Sequence, residues 1–149
     1  MHRIFIVALF LCLAPAAHAG DGLITKKSHY SASQTLDRLE ALLRDKGLTV
    51  FARVDHAAGA EKVGIALRPT VLLIFGNPKL GSHLFTSRQS AGIDLPMKAL
   101  AWEDGKGNVW LTYNDAQYIA DRHRIRNRAE VIGKMTKALD TLTDKATQP

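Results

Sequence analysis

The chain has 149 residues, 46% of them hydrophobic, and this length is enough for one buried core. Its only cysteine, Cys12, rules out an intrachain disulfide framework and a multi-cysteine metal site. A formal net charge of +6 favours anionic partners such as phosphorylated metabolites, phospholipid headgroups or acidic polymers, although it could equally serve solubility alone.

The first nineteen residues predict a cleavable signal peptide. A basic start at Arg3 precedes an apolar run from Ile4 to Ala14, and residues 17–19 form the small-x-small pattern that signal peptidase cuts. The apolar run is shorter than the roughly 20 residues that a membrane span needs, so an uncleaved anchor is the weaker alternative. We expect cleavage after Ala19. The mature chain would then be a single periplasmic or secreted domain over residues 20–149, with no membrane span and no thiol.

The first half of this domain predicts a strand, a helix and a second strand. Residues 23–30 are rich in β-formers. Ser31 and Gln34 form a capping box, and leucines at helical spacing continue the helix to about residue 46. Alternation over residues 48–56 then predicts a strand with Val50, Ala52 and Val54 on one apolar face. By extrapolation, His56 falls on the same face. Residues 57–64 predict a loop or a single helical turn.

The second half predicts three more strands, with short helices between them and a long helix at the end. Residues 71–75 are apolar on both faces, which indicates a central strand. Asn77 suits the N-cap of a short helix toward residue 88. Residues 96–103 and 109–113 predict a hairpin, and Asp115 can cap a short helix toward His123. A stripe with helical spacing, formed by Ile132, Met135, Leu139 and Leu142, predicts the last helix.

This order predicts an α+β fold of the β-α-β(4)-α type. Its antiparallel sheet would carry both long helices on one face, with short helices in the connections. The other sheet face, which includes Trp102 and Trp110, would then need cover because large exposed apolar patches usually mark a binding surface. A homodimer, a ligand cleft or the short helices could each supply that cover.

Motifs for known chemistry are sparse. The sequence has no G-x-S-x-G elbow, no phosphate loop and no dinucleotide fingerprint. No two histidines are spaced as metal ligands on one helix, so no metal site is predicted. Asp55 and His56 resemble an acid–base pair, but neighbours on a strand point to opposite faces, which favours a structural role for His56. The start of the helix after Asn77 could bind an anion, with Arg68 or the basic cluster at 122–128 supplying charge, or it could be an ordinary capped turn.

Motifs spread over most of the mature chain carry a family resemblance. They include residues 54–60 (Val-Asp-His-Ala-Ala-Gly-Ala), 73–78 (Leu-Ile-Phe-Gly-Asn-Pro) and 92–96 (Gly-Ile-Asp-Leu-Pro), and they continue through 102–104, 113–115 and 122–123. In order and spacing the chain resembles the domain of unknown function 302 family. The resemblance implies a fold like that of the TATA-binding-protein-like group, but it implies no activity and no DNA binding. Arg124 departs from the pattern, since glycine is common after the histidine in similar sequences.

The family motifs nominate seven candidate ligand-binding residues: Asp55, His56, Arg68, Asn77, Asp94, Tyr113 and His123. The favoured hypothesis is a small-ligand-binding or accessory domain of the cell envelope, with a polar pocket near Asn77, Asp94 and His123 for a small anionic ligand. One alternative is an enzyme that uses His56 or His123 as acid–base, oriented by Asp55 or Asp94. Another is an interaction module that pairs through the open sheet face. No cofactor is assigned, and export argues against a nucleic-acid partner.

Overall fold

The computed structural model of the protein describes residues 20–149, so the predicted signal peptide lies outside the described residues. The described chain forms five strands, five α-helices and one 3₁₀ turn. In chain order these are β1 (Leu23–Ser28), α1 (Ala32–Asp45), β2 (Thr49–Asp55), α2 (His56–Glu61), β3 (Thr70–Gly76), α3 (Pro78–Ser87), the 3₁₀ turn (Gln89–Ile93), β4 (Met97–Glu103), β5 (Val109–Asn114), α4 (Ala116–Arg122) and α5 (Ala129–Thr147).

The five strands form one open antiparallel sheet in the order β1-β5-β4-β3-β2. The predicted α+β class and the order of its strands and long helices are therefore confirmed. The apolar strand β3 lies inside the sheet, between β4 and β2. Both of its edges are therefore hydrogen-bonded to neighbouring strands, which keeps this apolar strand away from the exposed edges of the sheet.

Both long helices pack on the same face of the sheet. Helix α1 begins at the predicted capping box, in which Ser31 accepts from the Gln34 amide and the Gln34 side chain accepts from the Ser31 amide. After α1, Gly47 has φ of +72°, a left-handed conformation that costs glycine little and lets the chain turn back into β2. The leucines of α1 and the predicted stripe of α5 are buried against the inward side chains of β3, β4 and β5.

A bulge in β2 makes the predicted face assignment wrong. Val50 pairs with Phe75 while Ala52 pairs with Ile74, so Phe51 is an extra residue in the ladder. Side chains alternate along a strand, so one extra residue reverses the faces of everything that follows it. Val50 therefore lies on the helix-covered face, whereas Ala52 and Val54 lie on the open face.

His56 does not extend the strand, so its predicted place on an apolar face is also wrong. Strand β2 ends at Asp55, whose carboxylate accepts a hydrogen bond from the Ala58 amide at 2.8 Å and caps α2. His56 is the first residue of that helix and is exposed. The cap turns the chain before the strand alternation can reach His56.

The open face of the sheet carries apolar side chains that remain partly exposed, among them Leu72, Ile74 and Leu100. The Trp102 and Trp110 rings stack there with centroids 6.4 Å apart. Within residues 20–149, no helix combines the length and apolarity that crossing a membrane requires.

Candidate functional site

The seven nominated residues do not form one cluster. Only Asp94 and His123 are in direct contact. Asp55 and His56 lie where α2 begins, at the edge of the sheet. Arg68 precedes β3 and donates from Nε to the Glu103 carbonyl at 3.1 Å, which fixes the entry to that strand. Asp55 and Arg68 thus make local structural contacts, and His56 is exposed at the start of α2.

Asp94 and His123 join two segments that are distant in sequence. Asp94 ends the 3₁₀ turn and His123 ends α4, and their Oδ2 and Nε2 atoms are 2.6 Å apart. The two side chains are only 13% and 8% exposed. An ionised carboxylate can only accept hydrogen bonds, so the proton of this bond belongs to His123 Nε2. Arg122 Nη1 lies 3.3 Å from the other Asp94 oxygen, Oδ1, and forms an ion pair with it.

A third side chain, Ser90, extends this pair. Its Oγ lies 3.0 Å from His123 Nδ1, and the serine is exposed. In the tautomer whose Nε2–H donates to Asp94, Nδ1 carries a lone pair and accepts a hydrogen bond from the Ser90 hydroxyl. The result is a continuous serine–histidine–aspartate hydrogen-bond chain. Sequence reasoning missed Ser90 because no local motif marks it, and only packing of α4 against the 3₁₀ turn brings the imidazole to it.

Arg124 adopts a backbone conformation that glycine favours. Its φ is +55°, in the left-handed region. The Arg124 amide donates to the Asp121 carbonyl and the Ile125 amide donates to the Ala120 carbonyl, the two bonds of a Schellman motif. Ile125 is buried behind the turn. The Schellman motif therefore forms with arginine at position 124, and it holds His123 at the end of α4.

Tyr113 is buried in β5, with 2% of its surface exposed. Its hydroxyl has no hydrogen-bond partner among residues 20–149. The ring forms part of the wall of a cleft between α4 and α5, and Lys26 Nζ lies 5.9 Å from its centroid. Tyr113 is separate from the Asp94–His123 pair and points to a second location where a polar partner could bind.

Two ionisable groups near the sheet have shifted pKa values. Burial opposes the charge of Lys26, but hydrogen bonds to Asp140 and Asp144 outweigh it and raise the pKa of the ammonium. In the β4–β5 hairpin, Asp104 accepts from the Trp110 indole N–H at 3.0 Å and from Asn108. These bonds hold the pKa of the Asp104 carboxyl well below its usual range.

An apolar cavity of about 220 Å³ lies at one end of the sheet, between α3 and α5. Asn77 is on its rim and caps α3 by accepting from the Lys79 amide at 2.9 Å. We expected a polar pocket near Asn77, Asp94 and His123, but Asp94 and His123 do not line this cavity. The pocket beside Asn77 has mostly apolar walls. Its principal walls are Phe51, Phe75, Phe85, Met97, Met135 and Leu139. Across residues 20–149, no group of three or more histidine, aspartate and glutamate side chains is arranged to hold a metal ion.

The fold and these residues define a small α+β domain of a recognisable family. The family model described as "Domain of unknown function DUF302" matches residues 24–142, and the chain belongs to that family. A crystal structure of an uncharacterized conserved DUF302 protein from Bacillus stearothermophilus superposes with a TM-score of 0.76 at 18% identity. The match covers 85% of this chain and 98% of that one, and at this identity it shows the fold alone. Membership of the TATA-binding-protein-like group stays a prediction.

Curated relatives are longer than this chain. A protein of Brucella suis biovar 1 (strain 1330) named fluoride-specific ion channel FluC 1 is 45% identical over 126 residues, which is 84% of this chain and 50% of that relative. A protein of Brucella melitensis biotype 1 (strain 16M) named fluoride-specific ion channel FluC 2 is equally similar, with 47% of its length covered. The chain thus spans about half the length of the curated relatives it matches.

Proposed function

We propose that this chain is an exported accessory domain of the cell envelope that binds a small apolar ligand. The observation that carries the proposal is the apolar cavity between α3 and α5. Ligand sites in proteins are typically concave and apolar, with a few polar groups that fix orientation. Here Asn77 and Ser82 are the polar side chains among the lining residues, both near the start of α3.

The size of the cavity limits what it can hold. An engineered apolar cavity of about 150 Å³ stays dry and binds benzene, so 220 Å³ suits one aromatic ring system or a short alkyl chain. Phe51, carried outward by the bulge in β2, contributes to the wall and is 53% exposed. A bound ligand would cover part of this ring, and burial of apolar surface contributes about 25 cal/mol per Å².

The chemistry of the lining argues for a neutral ligand body. No lysine or arginine is among the lining residues, so the anionic ligand suggested by the net charge would have to place its charged group outside the cavity. A ligand with an apolar body and an anionic end would satisfy both features, and the anionic end stays a prediction.

Two lines of support concern location. The signal-peptide pattern of residues 1–19 favours export. The matched relatives are named as ion channels and are about twice as long as the matched region, which favours a role beside a membrane protein. Mass spectrometry of the protein from the periplasm should find a chain that begins at Gly20. A full-length chain retained in the cytoplasm would contradict export.

A second candidate function is an interaction module that pairs through the open sheet face. The partly exposed Trp102–Trp110 stack and its aliphatic neighbours favour it, because such patches often mark partner surfaces. Light scattering decides this case. A stable dimer that Leu100→Lys dissociates without lowering the melting temperature would support pairing, and a monomer at high concentration would contradict a stable homodimer.

The ligand-binding proposal is tested with 1-aminonaphthalene, a neutral dye with one fused ring system whose fluorescence depends on the polarity of its surroundings. Ala138 lies on an exposed rim position of α5 that lines the cavity, so Ala138→Trp should block the mouth without disturbing the core. Thr141→Trp adds the same side chain one turn later, at an exposed position that does not line the cavity. We expect saturable binding to the wild type and to Thr141→Trp, and at least tenfold weaker binding to Ala138→Trp.

Thermal unfolding gives an independent readout. A ligand present at about 100 times its Kd stabilises the folded state by about 2.7 kcal/mol, so the melting temperature should rise with dye concentration in the wild type and in Thr141→Trp but not in Ala138→Trp. Equal binding by both tryptophan variants would place the dye elsewhere, for instance on the open sheet face. That result, or the absence of saturable binding, would contradict the cavity proposal.

A further inference from the structure

We propose that Ser90, His123 and Asp94 form a catalytic triad for ester hydrolysis, an activity independent of the apolar cavity. Triads are recognised by geometry and roles rather than by sequence position. The required contacts are a nucleophile hydrogen-bonded to a base and a base hydrogen-bonded to an orienting group. Both are present here, at 3.0 Å between Ser90 and His123 and at 2.6 Å between His123 and Asp94.

Each member has the burial that its role needs. Ser90 is an exposed residue, so an ester in solution has access to the surface at this position. His123 and Asp94 are largely buried, which strengthens their hydrogen bond and fixes the imidazole plane. The two ring nitrogens have exchanged roles relative to the chymotrypsin arrangement. Each still has its own task, with Nδ1 receiving the serine proton and Nε2–H donating to the carboxylate.

The surroundings supply two further features. Ser90 is the second residue of the 3₁₀ turn, and in serine hydrolases the N–H of the nucleophile itself is one of the oxyanion donors. Arg122 and Arg124 flank His123 in the chain. These two guanidinium groups favour esters that carry a negative charge near the scissile bond.

The reaction balances without a cofactor or oxidant. Ser90 Oγ attacks the ester carbonyl carbon while its proton passes to His123 Nδ1, and the carbonyl π electrons move to oxygen. The oxyanion collapses, the bond to the alcohol oxygen breaks, and the leaving alkoxide takes the proton from Nδ1. Water then repeats these steps on the acyl-serine and releases the carboxylic acid, with the proton returned to Ser90.

The chain contains a matched control for the nucleophile. Ser87 lies three residues before Ser90, and its hydroxyl bonds to the Asn127 side chain rather than to a histidine. Ser90→Ala and Ser87→Ala therefore remove the same group from neighbouring positions. Both sites are away from the core, so both variants should melt close to the wild-type temperature.

The experiment treats the full chain with a fluorophosphonate probe and locates the adduct by peptide mass spectrometry. It also measures hydrolysis of p-nitrophenyl acetate and of an ester with a carboxylate near the scissile bond. We expect an adduct on Ser90 and at least tenfold loss of labelling and hydrolysis in Ser90→Ala and Asp94→Asn, with Ser87→Ala unchanged. Preference for the anionic ester should fall in Arg124→Gln.

Three results would overturn the proposal: no adduct on the folded wild type, an adduct on another residue, or equal labelling of Ser90→Ala. A purely structural role for the hydrogen-bond chain would change the melting temperature of Asp94→Asn without any labelling of Ser90 in the wild type. Because the dye experiment uses the cavity and this one uses Ser90, failure of either leaves the other interpretable.

Discussion

Replacing Tyr113 with phenylalanine should stabilise the protein. The Tyr113 hydroxyl is buried and has no hydrogen-bond partner among residues 20–149. A polar group that is buried without a partner costs about 1–3 kcal/mol of desolvation. Phenylalanine keeps the ring, its packing in β5 and its contacts in the core, and it removes only the oxygen. We therefore expect the free energy of unfolding to rise by about 1 kcal/mol.

The assay is urea unfolding followed by the fluorescence of Trp102 and Trp110, with thermal melting as a second measurement. At constant m-value the urea midpoint should increase, because the surface exposed on unfolding barely changes. For a domain of this size, 1 kcal/mol corresponds to a rise of roughly 3–5 °C in melting temperature. Tyr118→Phe is the matched control, since Tyr118 is exposed in the folded protein.

Destabilisation of Tyr113→Phe by 1 kcal/mol or more would refute this reasoning. It would mean that the hydroxyl makes a favourable hydrogen bond in solution, to a bound water or to a ligand in the cleft between α4 and α5. Such a result would indicate that the Tyr113 hydroxyl has a hydrogen-bond partner in this cleft and is not unsatisfied in solution. Comparable changes in Tyr113→Phe and Tyr118→Phe would show that the effect does not depend on burial.

Two further predictions concern the β4–β5 hairpin and the end of α4. Hydrogen bonding by the Trp110 indole lowers the pKa of Asp104 in the folded state. The ionised Asp104 carboxylate therefore contributes stability at pH values above the unfolded-state pKa of about 3.9, and this contribution is lost as the pH falls further. The unfolding free energy of Asp104→Asn should accordingly depend less on pH below about 4, and equal acid dependence in urea titrations of both proteins would contradict this. Arg124→Gly should stabilise the chain by about 0.5–1 kcal/mol, because a non-glycine residue at positive φ is strained. Thermal melting measures this change, and a loss of stability would show that the Arg124 side chain makes compensating contacts.

Local sequence signals predicted most of the fold. The Ser31 capping box, the leucines of α1 and the stripe of α5 depend on contacts within one turn or on one periodicity, so each could be recognised from the chain alone. The double-sided apolar run of β3 likewise predicted an interior strand. The failures came where one local feature interrupted the periodicity. Phe51 adds a residue to β2 and exchanges its faces, and Asp55 turns the chain into a helix before His56.

The candidate site was only partly accessible from the sequence. Family motifs nominated Asp94 and His123, but nothing local indicated that they touch or that Ser90 completes the chain of hydrogen bonds. Asn77 was expected beside this polar pair, whereas it lies on the rim of an apolar cavity built from β3, β4, α3 and α5. Contacts between distant segments depend on how the elements pack, and packing is not encoded in the spacing of any one segment.

The sequence by itself determined the class of fold, the order of its elements and the helix caps, because these follow from short-range periodicity, backbone preferences and side-chain hydrogen bonds. The tertiary structure alone decided which polar groups meet, which buried hydroxyl lacks a partner within residues 20–149 and where an apolar cavity remains. Those outcomes depend on how α3, α4 and α5 pack in the folded domain. A shift of about 1 Å between two elements is enough to break a hydrogen bond, and the spacing of residues in the sequence does not specify positions to that precision.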